Sequence, residues 1–386
     1  MRVLVAGAGP VGLAAALTLA RRGIAVTVLE AGETLAAESR ASTFHPPTLE
    51  MLADLGVLDE VEAIGLHTPT FAYRDRYEGV VAELDLSTLA ADTRYPYRIQ
   101  LEQSKLTPIL ARHLREHPTA EVRYGFAVRD VVADAEGVTV TSASGEHERG
   151  DWLIGADGAH SAVRRSLGIA FDGITYPERF LVASTEEDLT ALLGPLSYVN
   201  YVFDPDEWCV LLRTPDHWRV LLPTPPDTPD EVELDRLDER LRGVADPGRP
   251  WKVAHASIYR VHQRVAATFR LGRVLLAGDA AHVNNPLGGL GMNSGIHDAV
   301  AFATALAAGS PAEVSAAADV AAADRRRIAL EYVQQVSHTN YERLRSNTAA
   351  RAAHLADLRT IAADRERTRA YLFRSSMLAS LRPPSA

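Results

Sequence analysis

The stretch RVLVAGAGPVGLAAALTLARRGIAVTVLE, residues 2–30, decides the fold of this chain. Residues 2–6 predict a short buried strand, residues 11–22 a helix of small and aliphatic side chains, and residues 25–29 a second strand. This order, with a glycine-rich turn before the helix, is typical of a βαβ unit in a parallel sheet. The sequence therefore predicts an α/β protein that is built on a Rossmann-like dinucleotide-binding domain.

The turn between the first strand and the helix has the spacing G-x-G-x-x-G. Gly7 permits the tight turn, Gly9 lets the backbone approach a pyrophosphate, and Gly12 lets the helix pack against the strand. The helix that starts at Pro10 and Val11 offers free N–H groups and a partial positive charge to phosphate groups. Because strand, turn and helix follow each other in the expected order, the motif indicates a dinucleotide site and not a chance match.

Glu30 ends the second strand of this unit. An acidic side chain at that position accepts hydrogen bonds from ribose hydroxyls in dinucleotide-binding folds. The unit alone does not distinguish NAD from FAD.

The composition argues against a nucleic-acid-binding, a disulfide-bonded and a membrane-spanning protein. The chain has 386 residues, a formal net charge of −10 and one cysteine, Cys209. The acidic balance does not favour a nucleic-acid partner, and one cysteine allows no internal disulfide or thiolate metal site. No apolar run reaches the length of a membrane span, and the N-terminus does not have the pattern of a signal peptide. We therefore expect a cytoplasmic protein, monomeric or homodimeric.

Two later segments add to the first motif. DWLIGADGAHSAVRRSLG, residues 151–168, carries Asp157-Gly158 after a predicted strand, and GRVLLAGDAAHVNNPLGGLGMNSGIHDA, residues 272–299, carries Gly278-Asp279 after another. In this order the three motifs resemble the fingerprints of the single-component FAD-dependent aromatic hydroxylases, the para-hydroxybenzoate hydroxylase family. The resemblance covers roughly residues 1–172 and 262–300, and region 173–261 carries no motif of that family.

The resemblance implies roles for individual residues. Glu30 would hold the adenosine ribose of FAD, Asp279 the ribityl chain, and Pro286 would lie over the flavin ring. Backbone N–H groups at the start of the helix near residue 291 would face the isoalloxazine edge, where a helix N-terminus suits the negative charge of a reduced flavin. The cofactor-binding residues so implied are Gly7, Gly9, Pro10, Val11, Gly12, Glu30, Arg40, Gln103, Asp157, Gly158, Gly278, Asp279, Pro286, Gly288, Gly289, Gly291, Met292 and Asn293.

The same resemblance implies the reaction. FAD would be reduced by NADPH or NADH, and O2 would be activated as a C4a-hydroperoxyflavin that hydroxylates an aromatic small molecule, phenolic or polycyclic. No second G-x-G-x-x-G unit follows a strand in the sequence, so the nicotinamide would bind only transiently. The alternatives are a related flavoenzyme that performs epoxidation, Baeyer–Villiger oxidation or reduction, and a non-catalytic flavin-binding protein.

The order of the predicted helices and strands divides the chain into three parts. Residues 1–72, 98–172 and 262–311 would form a discontinuous FAD-binding domain, which includes an antiparallel ribbon of residues 121–124, 128–134 and 137–142. An inserted, mainly antiparallel sheet for substrate binding would comprise residues 73–97 and 173–261, because aromatic and β-branched segments alternate there with Pro/Asp turns. Residues 312–386 would form a C-terminal helical segment.

The sequence gives weaker signals for the residues that would contact the substrate than for those that would bind the cofactor. Tyr201, Arg213, Trp208 and Trp218 fall on predicted strands of the inserted sheet, and together with Pro286 they are the candidates for substrate contact. Strand alternation sends neighbouring side chains to opposite faces, so only some of them can line one pocket.

Histidines offer candidates for other roles. His45 follows the segment with Arg40 and is the candidate for a catalytic base, whereas His282 in GDAAH is expected to be structural. His113 and His117 spell the zinc-protease pattern H-x-x-E-H, but Pro118 ends that helix at once. We therefore expect no metal site.

Overall fold

The structure, a computed structural model, describes residues 1–37 and 41–382. Arg40, one of the predicted cofactor ligands, lies outside the described residues. Within them the chain forms strands that are numbered along the sequence. The strands are β1 (Arg2–Ala6), β2 (Ala25–Leu29), β3 (Thr43–Phe44), β4 (Leu66–Thr68), β5 (Thr70–Asp75), β6 (Gly79–Asp85), β7 (Arg98–Gln100), β8 (Ala120–Arg123), β9 (Val128–Ala133), β10 (Val138–Ser142), β11 (His147–Gly150), β12 (Trp152–Gly155), β13 (Phe171–Thr185), β14 (Val199–Phe203), β15 (Cys209–Arg213), β16 (Trp218–Thr224), β17 (Val253–Ala266), β18 (Arg270–Leu271), β19 (Val274–Leu276) and β20 (His282–Val283).

The helices of the described residues are numbered in the same way. They are α1 (Pro10–Ala20), α2 (Pro46–Asp54), α3 (Leu58–Ile64), α4 (Gln103–Arg115), α5 (Ala162–Ser166), α6 (Leu189–Leu193), α7 (Asp230–Asp235), α8 (Leu237–Val244), α9 (Gly291–Leu306), α10 (Pro311–Ile328), α11 (Gln334–Leu344), α12 (Thr348–Ala362), α13 (Arg365–Ser375) and α14 (Leu378–Leu381). Short 3-10 turns occur at Leu86–Leu89 and Gly278–Ala280, and a π-helical turn at Ala329–Val333 joins α10 to α11.

The first sheet has the order β18-β19-β12-β1-β2-β8. From β19 to β8 its strands are parallel, and their side chains are mostly buried because helices α1, α4 and α9 cover the sheet. This is the predicted Rossmann-like layer. One detail of the prediction is wrong: residues 121–124 do not join the antiparallel ribbon. Instead β8 follows α4 and pairs in parallel with β2, while β9, β10 and β11 form the ribbon.

The second large sheet has eight strands in the order β20-β17-β13-β16-β15-β14-β5-β6. It is antiparallel except where β14 pairs in parallel with β5. The predicted mixed α/β class with an inserted antiparallel sheet is therefore confirmed. The predicted boundaries at residues 72, 172 and 261 fall inside strands β5, β13 and β17 of this sheet, and the division into domains stays a prediction.

The two faces of the eight-stranded sheet have different neighbours. The inner face, which carries Phe71, Tyr73 and Tyr201, packs against Leu287 and against helices α11 to α14. The outer face, which carries Leu211 and Trp218, packs against α8. The C-terminal helices therefore close the inner face. Among the described residues, no helix is long and apolar enough to cross a membrane.

Candidate functional site

The glycine-rich turn after β1 is shaped for close backbone approach. Gly7 has a φ of +99°, and a Cβ at this position would lie 2.5 Å from the carbonyl oxygen of Ala156. A Cβ on Gly12 would lie 2.0 Å from the Gly7 carbonyl oxygen, so only glycine lets α1 start here. Above Gly9, by contrast, the space within 4 Å is open. The turn is therefore tight on the protein side and open where a phosphate would approach.

A cavity of about 310 Å³ lies at the carboxyl ends of β1, β2 and β12. Gly7, Gly9, Glu30 and Asp157 all line it. Their roles in cofactor binding stay predictions. The Glu30 carboxylate accepts hydrogen bonds from the backbone N–H groups of Ala8 (2.7 Å) and Gly32 (2.9 Å), which fixes its position at the cavity.

Asp157 leaves a polar atom in this cavity without a partner. Its Oδ2 accepts from the N–H of Val163 at the start of α5 (3.1 Å), but its buried Oδ1 has no hydrogen-bond partner among the described residues. A buried acceptor without a donor is costly, so a ligand hydroxyl is the expected partner. Gly158 follows with a φ of +79°, which turns the chain away from the cavity.

The second glycine-rich segment lies directly beside the first. Gly278 (φ +59°) begins the turn after β19, and its Cβ would meet the side chain of Val11 at 3.0 Å. A Cβ on Gly295 in α9 would lie 2.7 Å from Val11 and 2.9 Å from the Gly278 backbone. Glycines at both positions let α9 pack closely on α1, so that the two motifs border one continuous site.

Asp279 follows Gly278 at the carboxyl end of β19 and is exposed. Gln103 is the first residue of α4. Both residues lie at the ends of elements that border the parallel sheet, and their roles towards FAD stay predictions.

The segment of residues 284–290, called here the Gly288 loop, leads into α9. Pro286 accepts a hydrogen bond from the N–H of Gly289 (2.9 Å), so the turn itself uses that donor. The side chain of Asn293 donates to the carbonyls of Thr43 and Gly289 and accepts from the N–H of His45. Asn293 therefore clamps the loop to β3 with its side chain. The N–H groups of residues 291–293 remain the orphan donors of a helix start.

A buried ion network holds α9 in place, and the sequence did not predict it. Asp298 is fully buried and accepts from His282 (2.8 Å), Arg325 (2.7 Å) and the N–H of Gly278 (3.1 Å). Burial alone would raise the pKa of Asp298, but Arg325 and His282 hold it below its ordinary value. His282 is thus tied to a buried carboxylate, in agreement with the structural role expected for it.

His45, the candidate base, is fully buried at the end of β3. Its Nε2 lies 2.8 Å from the carbonyl oxygen of Gly288, which requires a proton on Nε2 and leaves Nδ1 as an acceptor without a partner. Burial, and next the charge of Arg98, keep the pKa of His45 well below its ordinary value. The imidazole is therefore neutral at pH 7 and supports the Gly288 loop. Its role as a base stays a prediction.

The four candidates on the inserted sheet separate by face. Tyr201 lies on the inner face, stacked on Tyr73 with ring centroids 5.3 Å apart, and Trp208 packs edge-on against Phe180 on that face. The expectation for Trp218 and Arg213 is corrected. Trp218 lies in the core of the outer face, and Arg213, opposite Trp218 in the β15–β16 pair, shares that face by alternation.

The inner face also includes residues that the sequence analysis did not identify as candidates. The hydroxyls of Tyr73 and Tyr371 lie 2.6 Å apart, which joins the sheet to α13. Arg98 on β7 is buried, with its guanidinium 4.2 Å from the ring centre of Phe71. Burial raises the pKa of Tyr201, and Arg98 and the backbone of Gly288 both act to lower it. Arg98 and the Gly288 loop are therefore both near Tyr201.

This donor set fits FAD. The cavity offers an open glycine turn for a pyrophosphate, a fixed carboxylate at Glu30 for a ribose and an unpartnered acceptor at Asp157. The Gly288 loop and the start of α9 then lie along the same site, where an elongated dinucleotide would continue.

Comparison with known proteins identifies the family to which this chain belongs. A family model described as an FAD-binding domain matches residues 1–336. The para-nitrophenol 4-monooxygenase of Pseudomonas sp. (strain WBC-3) is 38% identical over 358 residues, which cover 90% of this chain and 88% of that protein. The chain belongs to the single-component FAD-dependent aromatic hydroxylases.

Two further relatives agree with this assignment. The 6-hydroxy-3-succinoylpyridine 3-monooxygenase of Pseudomonas putida (strain DSM 28022 / S16) is 38% identical, with 89% of this chain and 88% of that protein covered. The crystal structure of p-nitrophenol 4-monooxygenase from Pseudomonas putida DLL-E4 superposes with a TM-score of 0.91, at 36% identity, over 97% of each chain. The protein is an FAD-dependent aromatic monooxygenase.

Proposed function

We propose that this enzyme hydroxylates a phenolic small molecule between the Gly288 loop and the inner face of the eight-stranded sheet. NADH or NADPH would serve as the transient reductant and O2 as the co-substrate. The position of Tyr201 carries this proposal: the residue is buried, its ring contacts Phe71 and stacks on Tyr73, and although burial raises its pKa, Arg98 and the backbone of Gly288 both act to lower it. A flat aromatic substrate would pack there against the rings and lie next to the flavin loop.

Bound FAD would supply the hydride acceptor and the activation of O2, and the chain would bind and orient it. In this proposal Glu30 accepts a hydrogen bond from a hydroxyl of the adenosine ribose, and Oδ1 of Asp157 accepts one from another hydroxyl of the cofactor. Asp279 binds the ribityl chain. The N–H groups of Gly291 and Met292 face the ring edge, where the N-terminus of α9 favours negative charge. Closure of the inner face by the C-terminal helices keeps water out of the site.

A monocyclic phenol is favoured over the polycyclic alternative. The p-nitrophenol 4-monooxygenases match this chain over almost its whole length, and their names state a monocyclic phenol. The inner face also carries closely packed rings, since Tyr73 stacks on Tyr201 and contacts Tyr371. The expected cytoplasmic location and the monomeric or homodimeric state stay predictions.

The test of this function uses purified enzyme. The protein should be yellow with bound FAD, and it should oxidise NADH or NADPH faster when a phenol is added. The product mass should exceed that of the phenol by one oxygen atom. A flavin-loaded enzyme that yields only peroxide with every phenol would contradict the proposed function.

Asp279→Ala is the sharpest test of the cofactor assignment. The substitution should weaken FAD binding by about tenfold or more, because it removes a charged hydrogen-bond acceptor from the ribityl chain. Flavin content after dialysis and an FAD titration measure the effect, with circular dichroism to confirm the fold. Asp235→Ala, at an exposed position at the end of α7, is the matched control. Equal flavin content in the two variants would refute the role of Asp279.

A further inference from the structure

Buried arginines in this protein have partners, with one exception. Among the described residues five arginines are buried, and four of them donate hydrogen bonds to carboxylates, a hydroxyl or backbone carbonyls. These four are Arg164, Arg179, Arg240 and Arg325. The fifth, Arg98, forms no ion pair with any carboxylate of the described chain, and its Nε has no hydrogen-bond partner there.

The surroundings of Arg98 do not neutralise it. Only 2% of the residue is exposed, and the groups that act most on its charge are the hydroxyls of Tyr201, Tyr73, Tyr371 and Tyr332. Its contact with the ring of Phe71 is a cation–π interaction, which offsets only part of the cost of removing a cation from water. A buried cation without a counter-charge implies that an anion binds beside it.

A second donor lies on the same face of β7. Gln100 is two residues after Arg98, so the alternation of the strand directs both side chains to one side. The Oε1 of Gln100 accepts from the hydroxyl of Thr43 (2.9 Å), and its buried Nε2 has no partner among the described residues. Each side chain thus has a buried donor without a partner among the described residues, and one of the two is cationic, which suits an oxygen that carries negative charge.

We propose that Arg98, with Gln100 beside it, binds the ionised oxygen of the phenol in the substrate site. This inference rests on the proposed function and narrows it to acidic phenols, whose hydroxyl is already ionised near neutral pH. Arg98 stabilises the phenolate by a charge-assisted hydrogen bond, so no protein base has to remove the proton. The bound phenolate ring is richer in electrons than the neutral phenol, as an electrophilic oxygen donor requires.

The position of Arg98 favours the substrate over the flavin as its anion. Its neighbours Phe71, Tyr73 and Tyr201 belong to the inner face of the sheet, and Tyr371 and Tyr332 belong to the C-terminal helices and the turn between them. The charge of Arg98 also acts on His45, which holds the Gly288 loop, so a phenolate beside Arg98 would lie next to that loop.

The experiment measures binding to the oxidised, FAD-loaded enzyme and needs no turnover. The probes are 4-nitrophenol and 4-nitroanisole, which share a ring but differ in that the ether cannot ionise. Equilibrium dialysis at a pH where 4-nitrophenol is ionised compares the wild type with Arg98→Met, Arg98→Lys and the exposed control Arg94→Met. We expect Arg98→Met to weaken 4-nitrophenol binding by about 10- to 100-fold and to leave 4-nitroanisole binding unchanged.

Two further readouts accompany the binding data. The visible band of the bound nitrophenolate should persist to lower pH on the wild type than on Arg98→Met, and Arg98→Lys should restore part of this difference. The Tm of Arg98→Met should equal or exceed that of the wild type, because the variant removes an unpaired buried charge. A purely structural Arg98 would instead give a lower Tm with unchanged affinity for both probes.

The outcomes separate this inference from the proposed function. The inference is overturned if Arg98→Met binds both probes as the wild type does, loses both equally, or changes only the reduction potential or affinity of the flavin. It is also overturned if the enzyme hydroxylates a neutral phenol and binds no 4-nitrophenol. Binding of nitrophenolate through Arg98 without hydroxylation of any phenol would contradict the proposed function alone.

Discussion

Arg98 and Arg240 are buried on opposite sides of the same eight-stranded sheet, and their surroundings differ. Arg240 in α8 donates to Glu207 (2.7 Å), Glu233 (2.8 Å), the hydroxyl of Thr224 and the carbonyl of Pro223. Arg98 has rings and hydroxyls around it and no carboxylate among the described residues. Arg240 is thus paired with two carboxylates, whereas Arg98 is paired with none among the described residues.

This difference distinguishes a structural buried charge from a ligand-binding one. A charge that is fully paired within the chain contributes through its network, and removal of one partner leaves the others exposed to an apolar interior. A charge without a partner destabilises the protein until a ligand arrives, which is a typical cost of a binding site.

The largest effect is expected for Arg240→Met. The substitution leaves the carboxylate of Glu233, which is only 1% exposed, without its cation. We expect a loss of about 3–5 kcal/mol in the free energy of unfolding, measured by urea denaturation of the FAD-loaded protein. The matched control is Arg242→Met in the same helix, whose half-exposed ion pair with Asp238 contributes at most about 1 kcal/mol. Equal losses in both variants would break the comparison.

His297 shows a third arrangement, in which a buried titratable group is neutral in the folded protein. Its Nε2 lies 2.9 Å from the hydroxyl of Thr48, and burial, followed by the charge of Arg325, lowers its pKa from 6.5 to about 3. Below pH 6.5 the unfolded chain binds a proton on this residue that the folded protein does not bind. Stability therefore falls as the pH decreases from 6.5 towards 3, by about 1.4 kcal/mol per pH unit from this group.

His297→Gln should remove this part of the acid sensitivity. Urea unfolding between pH 6.5 and pH 4.5 should give a shallower decrease of stability with falling pH than in the wild type. His67→Gln, which replaces an exposed imidazole, is the control. If the slope of the His297 variant matches that of the control, then His297 is not the buried neutral group described above.

The motifs on the cofactor side of the site could be recognised from the sequence because local rules govern most of them. The limit on Gly7 comes from Ala156, far along the chain, but a Cβ on Gly12 would clash with the Gly7 carbonyl oxygen within the βαβ unit, and Glu30 ends the second strand of that unit. Such features depend on residues near each other in the chain, and they can be recognised from spacing alone.

The substrate side could not be predicted in the same way. Alternation implied that only some of the candidates could line one pocket, but which face meets the cofactor depends on how distant elements pack. Arg98 lies in a short segment without a motif, and it is buried only because Tyr371 and other residues of the C-terminal region cover the sheet. The ion network of Asp298 and Arg325 likewise joins helices that no local pattern connects.

The smallest change in stability is expected for Tyr201→Phe, which sharpens the comparison between the two faces. The hydroxyl has no carboxylate partner, so its removal should alter the free energy of unfolding by about 1 kcal/mol or less. Affinity for 4-nitrophenol should nevertheless fall several-fold, because Arg98 and the Gly288 loop are both near Tyr201. Trp218→Phe, on the outer face, should show the reverse: a loss of about 1–2 kcal/mol from the core and unchanged affinity. If Trp218→Phe weakened binding as much as Tyr201→Phe, the inner face would not be the substrate side of the sheet.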